Sequence, residues 1–322
     1  ERLSITAPLT TIGMDSLVAV ELQQTIERNV RVRIPISTFL GEADLKAVAQ
    51  HVLTNFNMRA SGSSANLAKT WSPLVVQRRE AAGTPLFWVH PVGGSAFCYQ
   101  PLARRLEGHP IYAFQCPLDG EAPQCRTILE LAERYRGAMS EIEGPLWLAG
   151  WSLGGLVCWE LARLLTRSGH KVNGLLMIDS IIPTRILPTD DETLNWFLRD
   201  LNGGDFLTPE SGDSMEARLE AMATRGRLPR GIGIERARLL FEVFRTNLGT
   251  MYDWCPEPGS TPTLILAARE QQTGRRDALE AMWRPFARGG LNVVEIPGNH
   301  YTLLETRYQD ALLAMIRQWL SG

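Results

Sequence analysis

Lysine is almost missing from this chain. Only Lys46, Lys69 and Lys171 occur in 322 residues, so nearly all the positive charge is arginine; 33 basic residues stand against 35 acidic ones, a formal net charge of −2. So even a balance offers no electrostatic footprint for nucleic acid. Cysteine is scarce as well. The five (Cys98, Cys116, Cys125, Cys158 and Cys255) are odd in number and none stands in a C-x-x-C spacing. That argues against a disulfide framework or a zinc site, and for reduced thiols in a cytoplasmic setting. No apolar run reaches the roughly 20 residues of a membrane helix, and there is no secretory signal. The first residue is Glu1, not Met, which makes a piece of something longer the expectation. What remains is ordinary globular composition, 44% hydrophobic and 21% charged, long enough for two domains or for one large α/β domain with an appendage.

The most informative stretch is Leu148-Ala149-Gly150-Trp151-Ser152-Leu153-Gly154-Gly155. Gly144-Pro145 introduces an apolar strand, Leu146 to Ala149, and Gly155 to Leu165 carries apolar residues at helical spacing. Between them lies G-x-S-x-G, the nucleophile elbow. A strand-to-helix turn this tight leaves no room for Cβ atoms at Gly150 and Gly154, and it puts Ser152 at the tip with a helix N-terminus behind it. The competing reading is that Ser152 only caps the helix.

A nucleophilic serine needs a base and an acid. His300, in Pro297-Gly298-Asn299-His300, follows an apolar strand, Leu291 to Ile296. Asp179 ends another, Val172 to Ile178. The order Ser152, Asp179, His300 is the Ser…Asp/Glu…His order of α/β-hydrolases. A second place for the acid is Glu270, after the strand Thr263 to Ala268, but it sits in Arg269-Glu270-Gln271-Gln272, a polar and charged loop. We therefore assign the acid to Asp179. After the early strand Leu86 to Val89 comes His90-Pro91-Val92-Gly93-Gly94-Ser95. A glycine-containing loop there can aim a backbone N–H at a reacting carbonyl oxygen, and we assign the N–H groups of Val92 and Leu153. No G-K-[ST] follows, which sets aside a phosphate loop. His90 precedes the nucleophile in the chain and is read as a loop-packing histidine. Further strands are expected at Leu74 to Gln77 and Ile111 to Phe114. Strands alternating with helices imply a mostly parallel sheet. From about 183 to 254 that alternation breaks into helices joined by Gly/Pro-rich loops, as in a lid inserted between two strands.

The first fifty residues differ. A helical pattern starts at Ser16 and runs to Arg28, Val32 to Pro35 is extended, Ser37 to Leu40 is a helical turn, and Leu45 to Leu53 is a second amphipathic helix. Asn55 to Trp71 is polar and aperiodic, read as a tether spanning roughly 20–25 Å.

At Gly13-Met14-Asp15-Ser16-Leu17, continuing through Val20-Glu21-Leu22, the first segment resembles an acyl carrier protein, whose G-x-D-S-L marks phosphopantetheine attachment; the Asp-Ser-Leu form is similar to polyketide carriers. The plainer alternative is that Asp15 or Ser16 caps a helix. Residues 72 to 322 resemble a type I thioesterase, the release domain of polyketide and peptide synthases, through H-P-x-G-G, A-G-W-S-x-G-G, the strand ending in Asp179, and G-N-H-Y. The resemblance implies an α/β-hydrolase fold with a helical lid at about 183–254. Ahead of it, at 1–54, would stand a partial, small all-α carrier domain lacking its long first helix, and 55–71 would be the linker. It implies 4'-phosphopantetheine on Ser16, and an acyl chain moved from that arm to Ser152 and released by hydrolysis or cyclisation. The partners implied are upstream synthase domains of the same polypeptide, an acyl-thioester substrate and a phosphopantetheinyl transferase, with no metal, nucleic acid or membrane. The alternatives are a non-catalytic or editing delivery module and a general serine esterase fused to a carrier fragment. Intact Ser152, Asp179 and His300 argue against the first, and the carrier motif against the second.

Overall fold

The computed structural model describes residues 4–9, 14, 16–32, 34, 36–39, 43–60, 72–79, 81–118, 124–184, 186–201, 214–226, 228, 232–270 and 273–322.

The first segment is helical. Helix α1 (Ser16–Val30) is followed by a short 3-10 turn, Ile36–Phe39, and by α2 (Leu45–Ala60). Leu9, Met14, Ala19, Val32, Ile34, Phe39 and Val48 are its buried apolar residues. Gln23 is buried among them because its amide donates to the carbonyl of Ile34 at 2.7 Å, which satisfies a polar group that would otherwise be costly to desolvate. The Asp44 carboxylate caps α2 by accepting from Ala47 N–H at 2.7 Å. One expectation is corrected here. Helix α2 continues to Ala60, so residues 55–60, assigned to the tether, are helical. The Asn55 side chain is absorbed by donating to the His51 carbonyl one turn back, at 2.9 Å. Positions 61–71, the rest of the expected tether, lie outside the described residues, as do Gly13 and Asp15 of the carrier motif.

The remainder is built on seven strands: β1 (Leu74–Arg78), β2 (Leu86–Val89), β3 (Ile111–Phe114), β4 (Leu146–Trp151), β5 (Val172–Ile178), β6 (Thr263–Ala268) and β7 (Leu291–Ile296). They form one sheet in the order β1-β3-β2-β4-β5-β6-β7. Only β1 runs antiparallel to its neighbour; β2 through β7 are parallel. The central strands β2, β4 and β6 are buried along their whole length, as apolar runs covered on both faces must be. The helices between strands are α3 (Gln100–Arg105), α4 (Ile128–Ala138), α5 (Leu153–Arg167), α9 (Arg275–Trp283) and α10 (Gln309–Ser321). Between β5 and β6 lies the expected insertion, with α6 (Asp190–Leu201), α7 (Met215–Thr224) and α8 (Ile234–Tyr252). A parallel sheet in this order, with one antiparallel edge strand and a helical excursion before β6, is an α/β-hydrolase fold. No helix among the described residues is long and apolar enough to cross a membrane.

This topology decides where chemistry can sit. The carboxyl ends of β2, β4, β5 and β7 open on one edge of the sheet, and the loops after them carry His90 to Ser95, Ser152, Asp179 and His300. A cavity of about 840 Å³ lies at the other edge, lined among others by Trp147, Asn173 and Trp319. None of the four loops reaches it.

Candidate active site

Ser152 joins β4 to α5 with φ 57° and ψ −123°, one of three non-glycine residues with positive φ among those described. Such a conformation costs on the order of 1–3 kcal/mol and persists only where the surroundings impose it. The surroundings here are backbone. A Cβ on Gly150 would lie 2.2 Å from the Gly154 carbonyl carbon, and one on Gly154 would lie 2.2 Å from the Val89 carbonyl oxygen. The two glycines of the motif thus let β4, α5 and the end of β2 pack at backbone contact. Ser152 N–H donates to the Ile178 carbonyl at 2.9 Å, tying the elbow to β5. Its side chain makes no capping hydrogen bond to α5, so the helix-cap reading of this serine is not what the structure contains.

Asp179 follows β5 directly, also at positive φ (44°), with no solvent exposure. Its Oδ2 accepts from His300 Nδ1 at 2.7 Å. The His300 ring packs obliquely on Trp151, the residue before Ser152, with centroids 5.4 Å apart. The three residues singled out in the sequence are therefore brought to one edge, from three different strands. Glu270 is placed elsewhere. Its carboxylate accepts from Gly298 N–H and from the Tyr308 hydroxyl, both at 3.2 Å, so it braces the loop that carries His300 and does not contact the imidazole.

Burial alone would push the Asp179 carboxyl up, but hydrogen bonds and charge from His300 and Arg275 overcome this and hold it at about 2. Arg275 carried no signal in the sequence. It is the first residue of α9, and it grips the carboxylate with two nitrogens, Nε on Oδ1 at 3.0 Å and a terminal nitrogen on Oδ2 at 2.8 Å.

The loop after β2 is held by a buried network. His90 Nδ1 lies 2.7 Å from the Pro91 carbonyl oxygen, which can only accept, so Nδ1 carries the proton. Nε2 then accepts from the Tyr135 hydroxyl at 2.6 Å and faces Cys116 Sγ at 3.1 Å. Burial drives the His90 imidazole down to about 4, only partly opposed by its bond to Pro91, so the ring is neutral at pH 7. His90 is a loop-packing histidine, as read. Asn247 on α8 donates to the Val92 carbonyl at 2.9 Å, which fixes the peptide plane next to Gly93. The N–H groups of Val92 and Leu153 have no acceptor among the described residues.

The end of α6 closes on the same edge. Arg199 stacks on the Tyr301 ring at 4.3 Å. The Asp200 carboxylate lies so close to Gly93 that a Cβ there would meet it at 2.5 Å. Burial raises Asp200 to about 6, with His300 pulling the other way.

Of the carrier motif, Ser16 is the first residue of α1. No metal-binding cluster of His, Cys, Asp or Glu occurs among the described residues.

Comparison with known proteins matches this geometry to a family. The model for a thioesterase domain matches residues 84–320, and that for a phosphopantetheine attachment site matches residues 1–52. Among curated relatives, an orsellinic acid synthase of Armillaria mellea is 24% identical over 351 residues, covering 94% of this chain and 14% of the relative. A solved four-domain nonribosomal peptide synthetase, in its holo form with AMP and glycine, is similar over 99% of this chain and 26% of its own, with 25% identity and a TM-score of 0.70. The NocB thioesterase domain, solved as a covalent complex with a fluorophosphonate nocardicin G analogue, is 26% identical with a TM-score of 0.55, over 75% of this chain and 96% of its own. The chain spans between 10% and 34% of the length of such curated relatives. From residue 84 to 320, with a phosphopantetheine attachment segment ahead of it, the chain belongs to the thioesterase domain family.

Proposed function

We propose that this chain releases an acyl chain from a carrier-bound thioester, through an acyl-enzyme on Ser152. The observation that carries the reading is the 2.7 Å hydrogen bond between Asp179 and His300, with the imidazole packed beside the residue that precedes the strained serine. Asp179, ionised across the neutral range, accepts a hydrogen bond from Nδ1–H and so leaves the Nε2 lone pair as the base. His300 takes the Ser152 hydroxyl proton as Oγ attacks the acyl carbonyl. Two backbone N–H groups, Val92 and Leu153, receive the negative charge on the carbonyl oxygen, each supplying about 3–4 kcal/mol. The C–S bond then breaks, His300 returns its proton to the departing thiolate, and the acyl group remains as an ester on Ser152. Water, or a hydroxyl or amine within the acyl chain, gives its proton to His300 and attacks that ester; the acyl–Oγ bond breaks, His300 returns the proton to Ser152 Oγ, and the product leaves.

The residues around Ser16 suit a phosphopantetheine arm. Ser16 opens a 15-residue helix with no acidic residue in its first turn, and the dipole at a helix N-terminus favours the negative charge of a phosphodiester. When attached, the arm supplies a thiol that presents the acyl group as a thioester. The reading assigns 1–54 to the carrier with the correction at α2 noted above, 72–322 to the thioesterase, and 183–254 to a lid. It takes the donors of substrate to be upstream synthase domains, of the polyketide or peptide kind named among the relatives, and a phosphopantetheinyl transferase as the enzyme that loads Ser16.

Intact mass spectrometry tests it. Incubation with an acyl-pantetheine thioester should add one acyl mass to the wild-type protein and none to Ser152→Ala. An acyl adduct of equal yield in Ser152→Ala overturns the assignment.

A further inference from the structure

The Asp179 carboxylate accepts four hydrogen bonds: Oδ1 from Arg275 Nε at 3.0 Å and from Ala268 N–H at 3.2 Å, Oδ2 from Arg275 at 2.8 Å and from His300 Nδ1 at 2.7 Å. An ionised carboxylate offers about four lone-pair sites, so every site is taken. A guanidinium fork meets a carboxylate in one plane. Rotating the carboxylate away from His300 would break both arms of that fork as well as the bond to His300. Burial adds weight, since the Asp179 side chain has no exposure and Arg275 retains 14%; an ion pair that dry is lost only at high cost. The pair also acts on charge. Arg275 puts a cation beyond the same carboxylate that must stabilise His300 when it takes the serine proton, and a cation there opposes a second positive charge on the imidazole. On its other sides His300 faces Asp200 from α6 and Tyr301, over whose ring Arg199 lies.

We infer that Arg275 is a positioning residue that acts through Asp179 alone: it fixes the carboxylate plane so that Oδ2 faces His300, and it sets the lower pH limit at which His300 serves as base. This rests on the roles proposed for Ser152, Asp179 and His300.

The test compares wild-type protein with Arg275→Gln and Arg275→Lys, using p-nitrophenyl butyrate from pH 5 to 9. Arg275→Gln should lower kcat roughly tenfold to a hundredfold, the scale of a misplaced catalytic group, with KM unchanged within about twofold. Loss of the cation should move the acid limb of kcat/KM upward by about half a pH unit or more. Arg275→Lys keeps the charge but not the fork, so its acid limb should stay at the wild-type position while kcat falls. An Arg275→Gln enzyme whose acid limb does not move overturns the inference, whatever its kcat. Should that variant fail to fold by circular dichroism, Arg275→Lys decides, and wild-type kcat there overturns it. A wild-type protein that neither turns over the ester nor reacts with a fluorophosphonate at Ser152 would sink the proposed function instead. In that event the downfield proton resonance of His300 Nδ1–H, which needs no turnover, decides for Arg275: present in wild type and broadened or lost in Arg275→Gln supports it, unchanged in the variant overturns it.

Discussion

An asparagine at 179 cannot accept at both positions, so one of its neighbours must face an N–H₂ group. If that neighbour is His300, Nδ1 loses its acceptor and the wrong tautomer is favoured; turnover should drop by up to about 10⁴. If it is Arg275, a buried guanidinium is left half paired, and the variant should also melt earlier. Glu270→Gln keeps an acceptor for Gly298 N–H and Tyr308 and should change turnover by less than about tenfold. Steady-state kinetics on both variants would check this, and the reverse ranking would return the acid to Glu270. Asp179 could be chosen from the sequence because it ends an apolar strand, and a carboxylate leaving a buried strand has few places to go. Arg275 could not. It is one arginine in a chain whose basic residues are nearly all arginine, in a charged stretch that reads as surface, and only the packing of α9 beside the sheet turns it inward. Asn247 was equally silent, a polar residue inside an amphipathic helix whose partner is a carbonyl 155 positions away.

At the scale of elements, the strands were legible because each is a short apolar run bounded by turn residues; β2, β3, β5, β6 and β7 begin and end where the pattern does. Helix α4 opens on a capping box legible in the sequence, Thr127-Ile128-Leu129-Glu130. Thr127 accepts from Glu130 N–H at 3.1 Å, and the Glu130 carboxylate reaches back to Arg126 N–H at 2.7 Å. Helix α9 was hidden by its charges, with only Leu279 and Trp283, one turn apart, buried. The overrun of α2 past Leu53 came from polar residues being read as tether when a helix tolerates them on its wet side.

What joins elements is harder to see, and the loop after β2 is the case that yields a prediction. His90, Tyr135 from α4 and Cys116 after β3 form one buried cluster with Asn247 from α8. Its burial favours a neutral His90. In the unfolded chain this histidine takes a proton near 6.5, and in the folded protein only at about 4. Between those values the unfolded state binds more protons, so stability rises with pH across that window. His90 by itself should therefore cost on the order of 3 kcal/mol as pH drops from 6.5 to about 4, opposed by Asp200, whose raised value makes the folded state the one that binds a proton between about 6 and the ordinary carboxylate range. Asp179 adds its own loss lower down, between its ordinary value and about 2. Urea unfolding at pH 7 and pH 5 measures the first window. His90→Gln should lose less stability than the wild type from pH 7 to pH 5, by on the order of 2 kcal/mol, and what remains in the variant is the balance of Asp200, raised by burial, and His51, lowered by it. The same change in midpoint between the two pH values in wild type and in His90→Gln would show that His90 does not titrate as the cluster demands.

For the whole molecule, the division of labour between Ser16 and Ser152 is the question that matters. Both stand at the start of a helix, Ser16 as the first residue of α1 and Ser152 just before α5, yet the two helices are built differently. Helix α5 is entered through a strained elbow and buried along most of its length. Helix α1 lies in a small unit whose core is a handful of apolar side chains, and Val18, two residues past Ser16, is 41% exposed. A serine pinned in a buried elbow beside Asp179 and His300 suits acyl transfer at one fixed geometry. A serine at the start of a helix that shows Val18 to solvent suits recognition by a modifying enzyme. The two functions should therefore separate by mutation. With a phosphopantetheinyl transferase and coenzyme A, intact mass should rise by one arm in the wild type and in Ser152→Ala, and not in Ser16→Ala. Hydrolysis of a small free thioester should persist in Ser16→Ala and vanish in Ser152→Ala. When the arm is loaded as an acyl thioester, Ser152→Ala should retain the acyl mass on Ser16 while the wild type sheds it. Normal modification of Ser16→Ala would move the attachment site elsewhere. Release of the acyl group at the wild-type rate by Ser152→Ala would mean that the elbow is not where the chain leaves.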